Sequence, residues 1–307
     1  MTTRRGFLRC SAALAGTLAV APEAACAAGS RRASSAGKRK SGFTLWQIPS
    51  HSNTIGNSYV FLTKKGKVVV MDGGMPEEAN TLRGFIGALG NEVEAWFISH
   101  PHNDHMGALL EILKSPQDLK IKHIYHSRLS ETVRNAEAEW AQRCQELYDL
   151  FGKCGVPVTD IQEPGGTYVF DDMNLKILSV ANEITDNAYN NSSMIMRVWD
   201  KRKSMVFLGD AGVECGELAL KGDFRDDLDC DYLQMAHHGQ RGCNREFYSS
   251  VKFRACLWPT PLWVWNNDAG QGFNTSWLKT VETRTWMKEL GITEHYVSCE
   301  DGLCKIE

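Results

Sequence analysis

A chain of 307 residues exceeds the usual single-domain size, yet one large α/β domain can hold it, and 43% hydrophobic residues allow a sizeable core. The formal net charge is −3, and no basic tract lies beyond the N-terminal 40 residues. That argues against loose, sequence-blind nucleic-acid binding, which lives on clustered Lys and Arg, and leaves nucleic acid a place only as a substrate.

Taken in chain order, the first segment reads as an address. Thr3-Arg4-Arg5-Gly6-Phe7-Leu8-Arg9 resembles a twin-arginine export motif, an apolar stretch runs from Ala12 to Ala21, and Ala25-Cys26-Ala27 is a small-residue cleavage site. The stretch is too short to span a bilayer, and a general secretion signal with a chance Arg pair is the plainer alternative. Loss of residues 1–27 removes Arg4, Arg5, Arg9 and Glu23 and takes the net charge from −3 to −5. Residues 28–41 are small, polar and basic and read as a disordered linker. The folded domain is expected over 42–307, exported and without a further apolar run of membrane length.

Strands are predicted over Thr44 to Ile48, Ser58 to Thr63 and Lys67 to Met71, with a break at Asp72-Gly73-Gly74 and a helix from Pro76 to Leu89. Val93 to Ser99 (VEAWFIS) reads as a buried strand, Gly107 to Lys114 as a helix, and Ile121 to His126 as a strand. A long helix follows from Leu129 to Gly155. Short strands come between Val158 and Val180, and Met194 to Trp199 with Ser204 to Leu208 make a hairpin. A helix over Glu214 to Lys221, a strand over Asp231 to Ala236, a helix over Ser276 to Gly291 and a last strand pair from Thr293 complete the list. Strands in runs, each followed by helices, twice over, imply two sheets packed face to face with helices outside.

Between the predicted strand and helix lies His100-Pro101-His102-Asn103-Asp104-His105. It holds three of the chain's nine histidines. Such nitrogen and oxygen donors suit zinc, manganese or ferrous iron. His100 and His102 stand two apart, so in an extended loop their rings point the same way. Asp104 and His105 follow at once, where a turn aims them at a second metal. The bland alternative is a His-rich surface loop.

The pattern H-x-H-x-D-H resembles the signature of the metallo-β-lactamase superfamily, which implies an α/β fold, a single-domain αββα sandwich. Three further motifs match that family. The resemblance implies that Asp72 steadies the His loop without ligating, and that Asp210, in Leu208-Gly209-Asp210-Ala211, bridges two cations. It also implies that one of His237 and His238 completes the second metal. His237 is the expected ligand, and His238 is left to orient it or to act as an acid beside the leaving group. The expected metal set is therefore His100, His102, Asp104, His105, Asp210 and His237, with Asp104 and His238 as catalytic residues. One departure stands out: Asn187 to Ser193, where the family places another His ligand, has none. Asn191 is the nearest substitute there, and His123 and His126 read as structural.

N-N-S before a strand, L-x-G-D-A and then H-H-G resemble the hydrolase domain of the competence-protein ComEC family, over roughly Gly42 to Gly242; Gln240 replaces the Ser that usually follows H-H-G. That branch implies an exported hydrolase of phosphoester or phosphodiester bonds holding one or two divalent metals, zinc first and manganese second. The partner is then a small-molecule or phosphoester substrate, attacked by water activated on the metal. A carbonyl-centred hydrolase (lactone, thioester or β-lactam) is the alternative within enzymes. A ligand-binding sandwich without catalysis is the alternative outside them, gripping its ligand with the Trp-rich segment Cys256 to Asn267, although the plainer reading of that segment is core aromatics. The eight cysteines after the leader admit either disulfides, Cys299 with Cys304 being one pairing, or free buried thiols.

Overall fold

Apolar residues at every second position start the domain: Phe43 and Leu45 of β1 (Phe43–Gln47) are buried while Thr44 and Trp46 are half-covered. The computed structural model describes residues 41–52 and 54–307; the export segment and the linker through residue 40 lie outside the described residues. β2 (Ser58–Thr63), β3 (Val68–Asp72), β4 (Glu92–Phe97), β5 (Lys120–Ile121), β6 (Ile124–His126) and β7 (Val158–Asp160) extend the first sheet. A second sheet contains β8 (Thr167–Phe170), β9 (Met173–Ile177), β10 (Met196–Trp199), β11 (Ser204–Phe207), β12 (Tyr232–Gln234), β13 (Ala255–Trp258) and β14 (Glu294–Val297). The chain then returns to the first sheet, where β15 (Cys304–Ile306) pairs antiparallel with β1. The spatial orders are β15-β1-β2-β3-β4-β6-β7, with β5 also beside β4, and β14-β13-β12-β11-β10-β9-β8.

The inner faces meet in one apolar layer, in which Phe61 and Met71 from the first sheet oppose Met196 and Phe207 from the second. Helices α1 (Ala79–Gly87), α2 (Asn103–Lys114), α3 (Glu131–Ala136) and α4 (Ala138–Phe151) lie after strands of the first sheet. Leu82, Ile86, Leu109, Ile112 and Leu147 share a second apolar cluster with Val70 and Trp96. Each fully buried Leu or Ile there contributes about 1.5–3 kcal/mol. α5 (Ala188–Asn191), α6 (Val213–Lys221), α7 (Arg245–Ser250), α8 (Leu262–Trp265), α9 (Thr280–Glu289) and α10 (Ser298–Asp301) follow. Cys215, Phe247, Trp265 and Met287 cover the outer face of the second sheet. The architecture is the expected αββα sandwich.

Two parallel blocks, β3-β4-β6-β7 and β11-β12-β13-β14, matter for function. Parallel strands carry all their carboxyl ends to one rim, and such rims are where side chains from distant parts of a chain converge. The Met194 amide donates to the Ser99 carbonyl (2.8 Å), which joins the rims of the two sheets.

Three expectations change. The helix after the His loop begins at Asn103, not Gly107, so Asp104 and His105 stand in its first turn. The long helix breaks at Glu137 (φ −123°, ψ 79°) although Ala136-Glu137-Ala138 are good helix formers; a tertiary contact of the Glu137 side chain overrides local propensity. The last two strands are not a pair, since β14 joins β13 in one sheet and β15 joins β1 in the other. Cys299 and Cys304 are not bridged, and all eight cysteines among the described residues are free thiols.

Candidate metal centre

The site is assembled from strand ends. Asp72 ends β3 with φ 57°, a conformation costly for a residue with a Cβ, and its carboxylate is fully buried. The cost is offset by donors. Oδ1 accepts from the Ser99 amide (2.7 Å), and Oδ2 accepts from Ser99 Oγ (2.8 Å), Asn57 Nδ2 (3.1 Å) and His105 Nδ1 (2.8 Å). Asp72 thus ties the end of β4 to the first turn of α2 and fixes the His105 ring. On the other sheet, the buried side chain of Gln234 accepts from the Leu208 amide (2.7 Å) and donates to the Gly209 carbonyl (2.9 Å). That holds the turn before Asp210. Gly209 is required there: φ is +56°, and a Cβ would stand 2.8 Å from Ser193 Oγ.

Two groups of donors result. Asp104, His105, Asp210 and His238 each offer a ligand atom within 4.8 Å of the others, and so do His100, His102 and Asp210. Asp210 belongs to both. His100 Nε2 and His102 Nδ1 are 3.1 Å apart, His105 Nε2 lies 3.1 Å from Asp210 Oδ1, and His238 Nε2 lies 2.9 Å from Asp104 Oδ2 and 3.5 Å from Asp210 Oδ2. His237, the residue expected in the second group, is in neither. It sits at the margin, its Nε2 3.7 Å from Asp210 Oδ2 and its Nδ1 donating to the Arg241 carbonyl at 3.3 Å. The reason lies in the backbone. His237 and His238 both take left-handed φ (53° and 57°), so the chain folds tightly between them and turns His238, not His237, inward. Gly239 (φ +81°) completes the turn against Trp258, whose ring a Cβ would approach to 2.4 Å.

Hydrogen-bond chemistry tests whether a cation fits. A carboxylate only accepts, so His105 Nδ1 must carry a proton for Asp72, and the neutral ring turns the lone pair of Nε2 toward Asp210 Oδ1. Both facing atoms are buried and neither has a hydrogen-bond partner. His238 is oriented in a similar way, since Nδ1 donates to the Pro259 carbonyl (2.9 Å), but its Nε2 is hydrogen-bonded to Asp104 Oδ2 (2.9 Å). A lone pair facing a carboxylate needs positive charge between them; a second proton on each ring supplies it in the metal-free protein, and a divalent metal can take that place with ligands of the right kind.

The electrostatics follow. Burial opposes charge on His105, but Asp210, Asp72 and Asp104 together raise its pKa well above the ordinary value. Burial likewise opposes charge on His238, while Asp210 and the bond to Asp104 lift it to about 9. Desolvation holds His100 well below its ordinary value, His102 down to about 4, and His237 also low. Burial alone would raise Asp104 and Asp210; His105 and His238 beside them keep both carboxyls below the usual range.

Residues 52–242 match the metallo-beta-lactamase superfamily, more than half of the chain. The chain belongs to that superfamily. Its fold is similar to that of the metallo-beta-lactamase fold protein YhfI from Bacillus subtilis, with 14% identity, a TM-score of 0.53, and coverage of 85% of this chain and 99% of that one. It is also similar to a variant of the CmlA beta-hydroxylase, with 10% identity, a TM-score of 0.50, and coverage of 86% of this chain and 54% of that one. Identities this low speak for the fold alone. No curated protein matches the sequence.

The Asn187 to Ser193 segment, where the resemblance implied a further His, includes α5 and contributes none to either donor group. Asn191 does not replace it: its Nδ2 donates to the Asp186 carbonyl (2.8 Å) and Glu214 (2.9 Å), and its Oδ1 accepts from the Cys215 amide (3.1 Å), so the side chain is consumed in holding α6. Instead, Ser193 Oγ accepts from the Asp210 amide (2.9 Å) and lies 3.3 Å from His100 Nδ1. Tyr189 stacks on His102 (centroids 5.2 Å, 9° between planes), and Trp140 meets the same ring edge-on at 4.9 Å. His123 and His126 take no part in either donor group; one bonds Thr159 and the other packs against Tyr148 and Phe151. Of the Trp-rich segment, Trp258 and Trp265 are core residues. Sequence reasoning passed over Ser99, Gln234, Pro259 and Glu137. A signal existed for Gln234, a lone amide inside the apolar run Tyr232-Leu233-Gln234-Met235-Ala236.

Proposed function

We propose that this protein is an exported metal-dependent hydrolase of phosphoester or phosphodiester bonds. The observation that carries the proposal is the pair of adjoining donor groups sharing the Asp210 carboxylate. Two ions held by these nitrogen and oxygen side chains would supply a nucleophile from water at neutral pH and would offset the charge that develops on phosphorus. The twin-arginine-type leader, Thr3 to Arg9, supports export.

His100 and His102 would hold one ion, and Asp104, His105 and His238 the other, with Asp210 common to both. Asp72 and the Pro259 carbonyl keep a proton on the outer nitrogens of His105 and His238, which leaves Nε2 of each ring free to bind. Asp104 is the most accessible of the three site carboxylates, at 16% side-chain exposure, and so lies on the substrate side. His237, outside both donor groups, would act as a general base, a role different from the acid role first expected of His238. Its Nδ1 proton is engaged by Arg241, its pKa is lowered by burial, and its Nε2 lone pair faces the edge of Asp210. That nitrogen is placed to accept a proton as water attacks.

The test is a substrate panel on the purified, metal-replete protein: bis-p-nitrophenyl phosphate and p-nitrophenyl phosphate beside nitrocefin and acyl-homoserine lactones. Turnover of a phosphoester, lost on chelation and restored by zinc or manganese, is expected. A protein inert on every phosphoester but active on a lactone overturns the proposal.

A further inference from the structure

We propose that Glu137 is a positioning residue for the His100/His102 pole of the metal centre: its carboxylate selects the tautomer of His102 that leaves Nδ1 free to bind. The proposal rests on the metal-centre reading above. Glu137 occupies the break between α3 and α4. One carboxylate oxygen accepts from the Ala188 amide at 2.6 Å, and the other lies 3.9 Å from His102 Nε2. That nitrogen is buried and has no hydrogen-bond partner, while Nδ1 of the same ring points to His100. Trp140 and Tyr189 hold the ring between them, so Nε2 stays turned toward Glu137.

A neutral imidazole carries one proton. At 3.9 Å the pair is not a hydrogen bond, but a carboxylate facing Nε2 in a poorly screened site favours the N–H there and the lone pair on Nδ1. It also makes the ring a stronger donor to a cation. The amides of Ala188 and Tyr189 both donate to the carboxylate, which fixes where it stands beside His102. This pole is also the one with fewer ligands, two imidazoles and the shared Asp210, where gains in donor strength count most.

Glu137→Gln separates the two roles. It keeps an oxygen for the Ala188 amide and the volume of the side chain but removes the charge. Zinc affinity is read by chelator competition, the His102 tautomer by nitrogen-15 NMR of the metal-free protein, and folding by the melting temperature of that same form. The expected result is roughly tenfold or greater weakening for one of the two ions, little change for the other, and a shift of His102 away from the Nε2–H form. Glu137→Asp, which keeps the charge, recovers part of the loss. Unchanged zinc affinity and tautomer in Glu137→Gln overturn the proposal, whether or not its melting temperature falls, and reduce Glu137 to a clip on α5. A wild-type protein that binds no divalent ion sinks the metal-centre reading and this proposal with it. A wild-type protein that binds two ions and cleaves no phosphoester sinks only the hydrolase reading.

Discussion

Stripping the metal should leave a protein that depends on protons for the same job, and the dependence has a sign and a size. In the metal-free form His105 and His238 hold their protons well beyond the ordinary histidine range, because Asp72, Asp104 and Asp210 surround them. A group whose folded pKa is raised gives its full stabilisation below its unfolded pKa and loses it as pH climbs through the folded value. For His238 that window runs from 6.5 to about 9. The rise is equivalent to about 3 kcal/mol, of which about 2 kcal/mol is gone by about pH 8. His105 acts in the same direction. The lowered histidines, His100, His102, His126 and His237, add stability only as pH rises toward 6.5 and are silent above it. Lys203, held down to about 8, begins to oppose the trend only near that pH, so the interval from 6.5 to 8 is decisive. Calorimetric melting of the metal-free protein should fall by roughly 5 °C across it, and the zinc-loaded protein should not follow. Titration calorimetry with zinc at pH 7, in buffers of different ionisation enthalpy, should count about two protons released, one from each imidazolium. No proton release at pH 7, or a metal-free stability that is flat or rising over that interval, would refute the electrostatic account of the site.

The exchange of roles between the paired histidines is directly testable. His238→Ala should lose one equivalent of metal and about a hundredfold or more in rate. His237→Ala should keep both equivalents and lose kcat by about 10²–10⁴; the opposite metal stoichiometries would return His237 to the ligand set. For export, replacing Arg4 and Arg5 together by Lys should trap the full chain in the cytoplasm of a bacterial host with a twin-arginine system. Fractionation showing equal export of both forms would remove the twin-arginine assignment.

What the residues disclosed in advance, and what they hid, divides along a physical line. His100, His102, Asp104 and His105 are legible because a metal needs several strong donors close together and six consecutive residues supply them. The two sheets are legible because strands such as β1 bury alternate residues and strands such as β3 bury all of them. The choice between His237 and His238 is not legible. Adjacent side chains diverge, and which one faces inward depends on two left-handed residues and a glycine packed against Trp258, a ring 19 positions downstream. The break at Glu137 is hidden for the same reason. Nothing local stops the helix, and the amide that captures the carboxylate belongs to Ala188, 51 residues away. The role of Asp72 lies between. Its motif marks a turn, but its four donors come from Asn57, Ser99 and His105, and only the fold brings them together.

The pole built on His100 and His102 has only two imidazoles and the shared Asp210, and the chain supplies constraint around them. A metal site with few ligands gains affinity when those ligands are already held in place. Ser99 Oγ (3.1 Å) and Ser193 Oγ (3.3 Å) flank His100 Nδ1, while Trp140 and Tyr189 confine His102, so neither ring has much freedom left to lose when an ion binds. Ser193 also fixes the amide of Asp210, the donor common to both groups. Ser193 itself comes from the Asn187 to Ser193 segment, and so does Tyr189. The segment thus contributes two side chains that hold the other donors in place. Preorganisation recovers affinity by reducing the ordering cost of binding, not by adding a bond. With two imidazoles and one carboxylate as donors, an ion held at this pole would leave room for water or substrate.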